Sequence, residues 1–171
     1  MKCSSCGQQH DVLDPTFRRP DAVHQFPAAQ RPGNVMEGDD LCAIRAQDAS
    51  QVDRYFVRCT LAVPLLDHGD QTVHWGLWAE VDGLDSKRIY DLWDDPDQAA
   101  QPAIDARLAN NIPGYPATIG LPLRLKMTGP RTRPALVFRA QALHPFAAEC
   151  RAGVAIDRVF EWLARMGVGR N

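Results

Sequence analysis

The chain has 171 residues, a net charge of −2 and a hydrophobic fraction of 45%. That length suits one domain burying roughly 70% of its unfolded surface, so neither metal nor disulfide is needed merely to build a core. The charge gives no strong pull toward nucleic acid or membrane, no apolar run approaches the about 20 residues that span a bilayer, and five cysteines do not make a pure disulfide framework.

The first ten residues carry the clearest chemistry. In CSSCGQQH, Cys3 and Cys6 are two residues apart, Gly7 tolerates the tight turn, and His10 follows within reach. A tetrahedral structural zinc wants a fourth ligand, and Cys42 is the candidate. The alternative is a metal-free terminus, with Cys42 a small buried hydrophobe. A redox CxxC fits less well, because no strand precedes it. Met1-Lys2 leads straight into Cys and Ser without the apolar core of a signal peptide, so the expected compartment is the cytosol, where thiols stay reduced.

Thirteen prolines predict many ordered loops. Residues 11–38 read as an extended arm anchored by isolated apolar residues such as Phe17, Val23 and Phe26, with one short helix near Ala28–Arg31. A strand starts at 41–46. Residues 54–63 and 73–82 alternate cleanly and form an antiparallel pair across a turn at 67–72. On its mixed face Arg58, His74, Trp78 and Glu80 share a surface, and Gly76 between two tryptophans marks the close approach of a ligand or, as the favoured reading, the point where a helix-covered sheet accepts the crossing chain.

A helix is predicted over 86–95, capped by Asp85 or Ser86, and a weaker one over 98–109 with Ile104 and Leu108 inward. Strands follow at 121–127, with Arg124 and Lys126 outward, and at 135–141. Pro145 opens a helix over 145–152 that Gly153 ends, and a last helix covers 155–166. The expected fold is α+β: an antiparallel sheet of about five strands, helices mainly on one face, and an irregular N-terminal arm. One domain spans 1–171, with 1–40 the metal-knuckle arm and loop and 41–171 the core.

The pieces CSSCGQQH, GDDLCAI, YFVRCTLAVPL, HWGLWAEV, IPGYPATIGLPL and HPFAAECRAGV, spread over nearly the whole chain, resemble the bacterial domain of unknown function family 2199. The resemblance implies no activity, substrate or cofactor. It implies that Cys3, Cys6, His10 and Cys42 are recurring positions. It associates glutamine with the position of Cys150, where this chain departs.

GxSxG, P-loop, HExxH and GxGxxG patterns do not occur. His144, beside Glu149 and Arg151, is a candidate acid or base, and more simply a cap for the helix that Pro145 begins. Asp39-Asp40 form a carboxylate pair more usual in solvated turns, while Arg131 and Arg133 offer an anion clamp or decorate a hairpin. Two functions follow. One is a small cytosolic binding or interaction domain with a structural zinc on Cys3, Cys6, His10 and Cys42, taking a protein partner or small ligand. The other is a small enzyme whose pocket uses His144 and the Trp78/Arg58 sheet face.

Overall fold

The computed structural model describes residues 14–167. Seven strands form one sheet in chain order: β1 (Val35–Glu37), β2 (Leu41–Ile44), β3 (Arg54–Pro64), β4 (Thr72–Val81), β5 (Ile104–Leu108), β6 (Pro122–Lys126) and β7 (Ala135–Phe138). Four α-helices accompany them: α1 (Arg31–Asn34), α2 (Gly83–Leu92), α3 (Pro145–Ala152) and α4 (Ile156–Arg165).

The α+β class agrees with expectation, but the sheet is not the simple antiparallel layer predicted. Strand β3 is 11 residues long, and its length lets one edge serve two partners. Near its start it pairs antiparallel with β2, Leu41 opposite Val57. Further along, Thr60 meets Ala135 of β7 in a parallel bridge, and Thr60 N donates to Pro134 O at 2.9 Å. That bridge closes β3 to β7 into a five-stranded mixed barrel, with β1 and β2 as an antiparallel extension. The parallel closure is geometrically required. Five strands in an up-and-down meander begin and end in the same direction, so the last can meet the first only in parallel.

Alternation along the strands fills the barrel. Val57, Cys59 and Leu61 of β3 and Trp75, Leu77 and Ala79 of β4 are buried inside it. Ile89 of α2 joins the core at the end where β4 finishes, and Gly83 sits against the Tyr55 ring there. Helices α3 and α4 close the other end. Phe146 meets Trp75 edge-on at 5.7 Å, and Trp162 lies tilted against Trp75 at 5.1 Å. The helices therefore close two ends of a barrel, rather than cover one face of a sheet.

Residues 98–109 are the main local departure. A short 3-10 turn, Gln98–Ala100, gives way to strand β5. Ile104 and Leu108 have helical spacing, but Ala106 between them is also buried, which makes the period two. Pro102 already disfavours helical backbone at the residue before it. Helix α2 also starts earlier than predicted, because Asp82 is its cap: its Oδ1 accepts from Asp85 N at 2.8 Å.

From Asp14 the N-terminal arm repairs a gap in the barrel. Strands β4 and β5 pair only at Ala79–Leu108 and Glu80–Arg107. Beyond that, the arm takes the free edge of β4: Gly76 N donates to Pro15 O and Phe17 N to Gly76 O, each at 2.9 Å. Phe17 stacks on Trp75, and its carbonyl accepts from Trp78 Nε1. The arm then crosses the outer face of the sheet and buries Val23 and Phe26 against Phe56 and Trp78. Gly76 thus admits a crossing segment, as the favoured sequence reading has it, but that segment is extended chain at Pro15–Phe17 and not a covering helix.

Candidate functional site

Side chains from five segments converge on an open groove of about 900 Å³ over the outer side of the β4–β5 seam. The loop before β3 and the start of β3 form one wall, with Asp53, Arg54 and Tyr55. Glu80 lies on β4, Asp105 and Arg107 on β5, and Arg139 closes the far side. Arg54 grips Glu80 with two hydrogen bonds, Nε to Oε1 at 2.7 Å and Nη2 to Oε2 at 2.8 Å. Those bonds, against the opposing effect of burial, raise the Arg54 pKa. Asp105 is shared by Arg139 Nη2 at 2.5 Å and Arg124 Nη1 at 3.0 Å. The Arg139 bond leads in holding the Asp105 carboxyl below its usual range. Among the described residues Arg107 has no hydrogen-bonding or ionic side-chain partner, although Glu80 lies opposite it across the strands.

A second groove, about 670 Å³, runs between α2 and the β1–β2 ribbon. Met36, Leu41, Ala43, Tyr55 and Tyr90 give it an apolar lining, and Met36 and Tyr90 are exposed at its rim.

Of the four predicted metal ligands, Cys3, Cys6 and His10 lie outside the described residues. Cys42 is on β2 and points into the apolar cluster beneath the arm, beside Ile44, Phe56 and Trp78. Burial pushes its thiol up to about 12, with Glu37 adding to the effect and Arg19 opposing it. Among the described residues no group of three or more His, Cys, Asp or Glu is arranged to hold a metal ion. Cys59 and Cys150 are buried thiols too; desolvation raises both, Cys150 to about 12.

His144 is the cap of α3: its Nδ1 accepts from Phe146 N at 3.2 Å. Glu149 does not serve His144. It takes Arg158 on both oxygens, at 2.9 and 3.1 Å, and accepts from Tyr115 Oη at 2.6 Å. Trp162 Nε1 donates to the same Tyr115 oxygen at 2.8 Å. Burial first, then the bond to Glu149, pushes the Tyr115 hydroxyl up. The Trp78 face is covered rather than open, since Trp78 is 1% exposed. Arg58 sits beside it in register but turns toward the Asp39 carbonyl, and burial followed by the nearby Arg133 lowers its pKa. Neither groove is lined by His144, Arg58 or Trp78. Arg131 and Arg133 do not form a clamp: they pair separately with Asp94 and Asp40.

Arg107 escapes sequence reading because its segment reads as a helix. The usable signal is the two-residue period of Ile104, Ala106 and Leu108, which sets Asp105 and Arg107 on the opposite face.

Among the described residues no helix is long and apolar enough to cross a membrane. A family model described as an uncharacterized protein conserved in bacteria, DUF2199, matches residues 2–154. No curated protein and no solved structure matches the chain.

Proposed function

We propose that this chain, which belongs to the DUF2199 family of uncharacterized bacterial proteins, is a small binding domain whose opening residues are clipped by a structural zinc. Cys3, Cys6, His10 and Cys42 are the ligands. The observation that carries the reading is shared location. The arm that follows the first three ligands in the chain packs Phe17, Val23 and Phe26 into the same cluster that receives Cys42. A clip between them joins two segments already packed on one face. Four protein ligands complete a tetrahedral zinc and leave no open position for substrate, so the ion's role is to fasten the arm. Cys42 has an apolar setting that keeps its thiol protonated; zinc supplies the charge that turns it into a thiolate ligand.

Binding is favoured over catalysis because the polar groups that converge in the open are arginines and carboxylates around a groove. His144, the candidate acid or base, is engaged as the cap of α3, and Glu149 beside it in the chain ties α3 to α4.

Elemental analysis of protein purified under reducing, metal-replete conditions tests the zinc. About one ion per chain is expected, lost in both Cys3→Ser and Cys42→Ser, with a lowered Tm on chelation of the parent. Cys6→Ser serves as a further check, because Cys42 is itself a core residue. A chain that carries no zinc under these conditions overturns the clip.

A further inference from the structure

The outer face of β5, β6 and β7 carries more positive charge than the frame uses. Asp105 and Arg107 on β5, Arg124 and Lys126 on β6, and Val137 on β7 alternate with core residues. Register sets Asp105 opposite Arg124 and Arg124 opposite Val137. Arg139, just past β7, reaches back to Asp105. Four cations therefore share this face with one carboxylate. That carboxylate is already shared by Arg124 and Arg139. Arg107 and Lys126 have no acidic partner among the described residues, since Glu80 is taken by Arg54. The face is open to solvent: Val137 is 53% exposed and the Asp105 side chain 68%.

We propose that this face is a docking surface for an extended acidic polypeptide segment, whose carboxylates meet Arg107, Arg124, Lys126 and Arg139 and whose apolar part lies over Val137. The proposal deepens the reading of the chain as a binding domain by naming the partner's chemistry. The excess is local, because the whole chain carries −2. Spacing supports a peptide. Arg124 and Lys126 are two residues apart on one strand, roughly 7 Å, which is also the repeat of same-side side chains in an extended chain. Arginine suits carboxylates, which it grips in pairs. Nucleic acid fits less well. None of these face residues is an aromatic on which a base could stack.

Fluorescence anisotropy with a labelled Glu-Ala-Glu-Ala-Glu-Ala-Glu peptide, at about 50 mM salt where exposed charges are weakly screened, tests this. Saturable binding is expected, weakened about tenfold or more in the Arg107→Glu/Lys126→Glu double variant and reduced by added salt. Arg107→Gln/Lys126→Gln removes the charges without reversing them and should fall between the two. Circular dichroism confirms that each variant stays folded, as the exposure of both side chains predicts. Absent binding, or affinity unchanged in both double variants, overturns the proposal. So does a seven-nucleotide oligothymidine that binds more tightly and displaces the peptide, which would assign the face to nucleic acid. Zinc content does not depend on these residues, so the docking surface and the metal clip fail separately.

Discussion

Thr16 lies so close to Gly76 that a Cβ placed on the glycine would stand 2.7 Å from Thr16 Oγ1 and 3.2 Å from its Cβ. The glycine's hydrogen atom is what lets the arm hydrogen-bond to β4 on both sides of this residue. Threonine has no long flexible end to swing away, so Gly76→Ala must displace the arm. A loss of about 1–3 kcal/mol is expected in urea unfolding. Thr16→Ala removes the nearest atoms, so the double variant should cost less than the sum of the two single changes. Strict additivity would mean that the two residues do not press on each other.

Asn110 is the second fastening of the arm. It is fully buried, and its side chain does the work of a strand that has run out. Its Oδ1 accepts from Trp78 N at 2.8 Å, while Nδ2 donates to Arg19 O at 2.9 Å and Asp21 Oδ1 at 3.0 Å. Removing the amide orphans a buried backbone N–H and a carbonyl together. Asn110→Ala should lower stability by about 2–4 kcal/mol in denaturant unfolding, well beyond a surface change. Asn110→Asp keeps the acceptor for Trp78 N but loses both donors and faces Asp21, so it should recover little. A loss below about 0.5 kcal/mol would show that the arm is held elsewhere.

The long hairpin of β3 and β4 was legible because Val57, Cys59 and Leu61, then Trp75, Leu77 and Ala79, alternate without interruption. Local chemistry also marked Pro145 and Gly153 as the bounds of α3 and Gly76 as a point of close approach. Closure was not legible. Alternation says which face of β3 is buried, not which strand will meet Thr60, and Ala135 is 75 positions away, by the difference of the two residue numbers. Strand β5 was lost to a spacing that satisfies two periods at once. With it went the outward placement of Arg107, and so the groove. The Tyr115–Glu149–Arg158–Trp162 cluster joins a loop to two helices, and no spacing along the chain announces it.

His144 separates a frame role from a catalytic one. As the cap it satisfies the Phe146 N–H, which the helix leaves without an internal partner. His144→Ala should cost about 0.5–2 kcal/mol, and His144→Asn, whose side-chain oxygen can accept the same bond, should restore most of it. Thermal unfolding of the three proteins measures this. If stability is unchanged in both variants, the histidine is free for chemistry and the enzyme reading regains its ground.

Acid should find Glu149 first among the groups that tie α3 to α4. Burial works to raise its pKa, but hydrogen bonds from Arg158 and Tyr115 outweigh it and leave the carboxyl below its ordinary value. A depressed folded value means stability that is present above the unfolded pKa, about 4.3, and lost as pH falls through the folded one. Glu149→Gln keeps an acceptor for Tyr115 Oη but gives up the charge facing Arg158. Because the pair is partly solvated, at 26% and 35% side-chain exposure, the loss at neutral pH should be about 1 kcal/mol rather than that of a buried pair. Urea midpoints of parent and variant at about pH 7, 5, 4 and 3 should therefore converge on the acid side, the parent moving toward the variant. A gap that persists undiminished at the lowest pH would assign Glu149's contribution to packing and neutral hydrogen bonding instead of its charge.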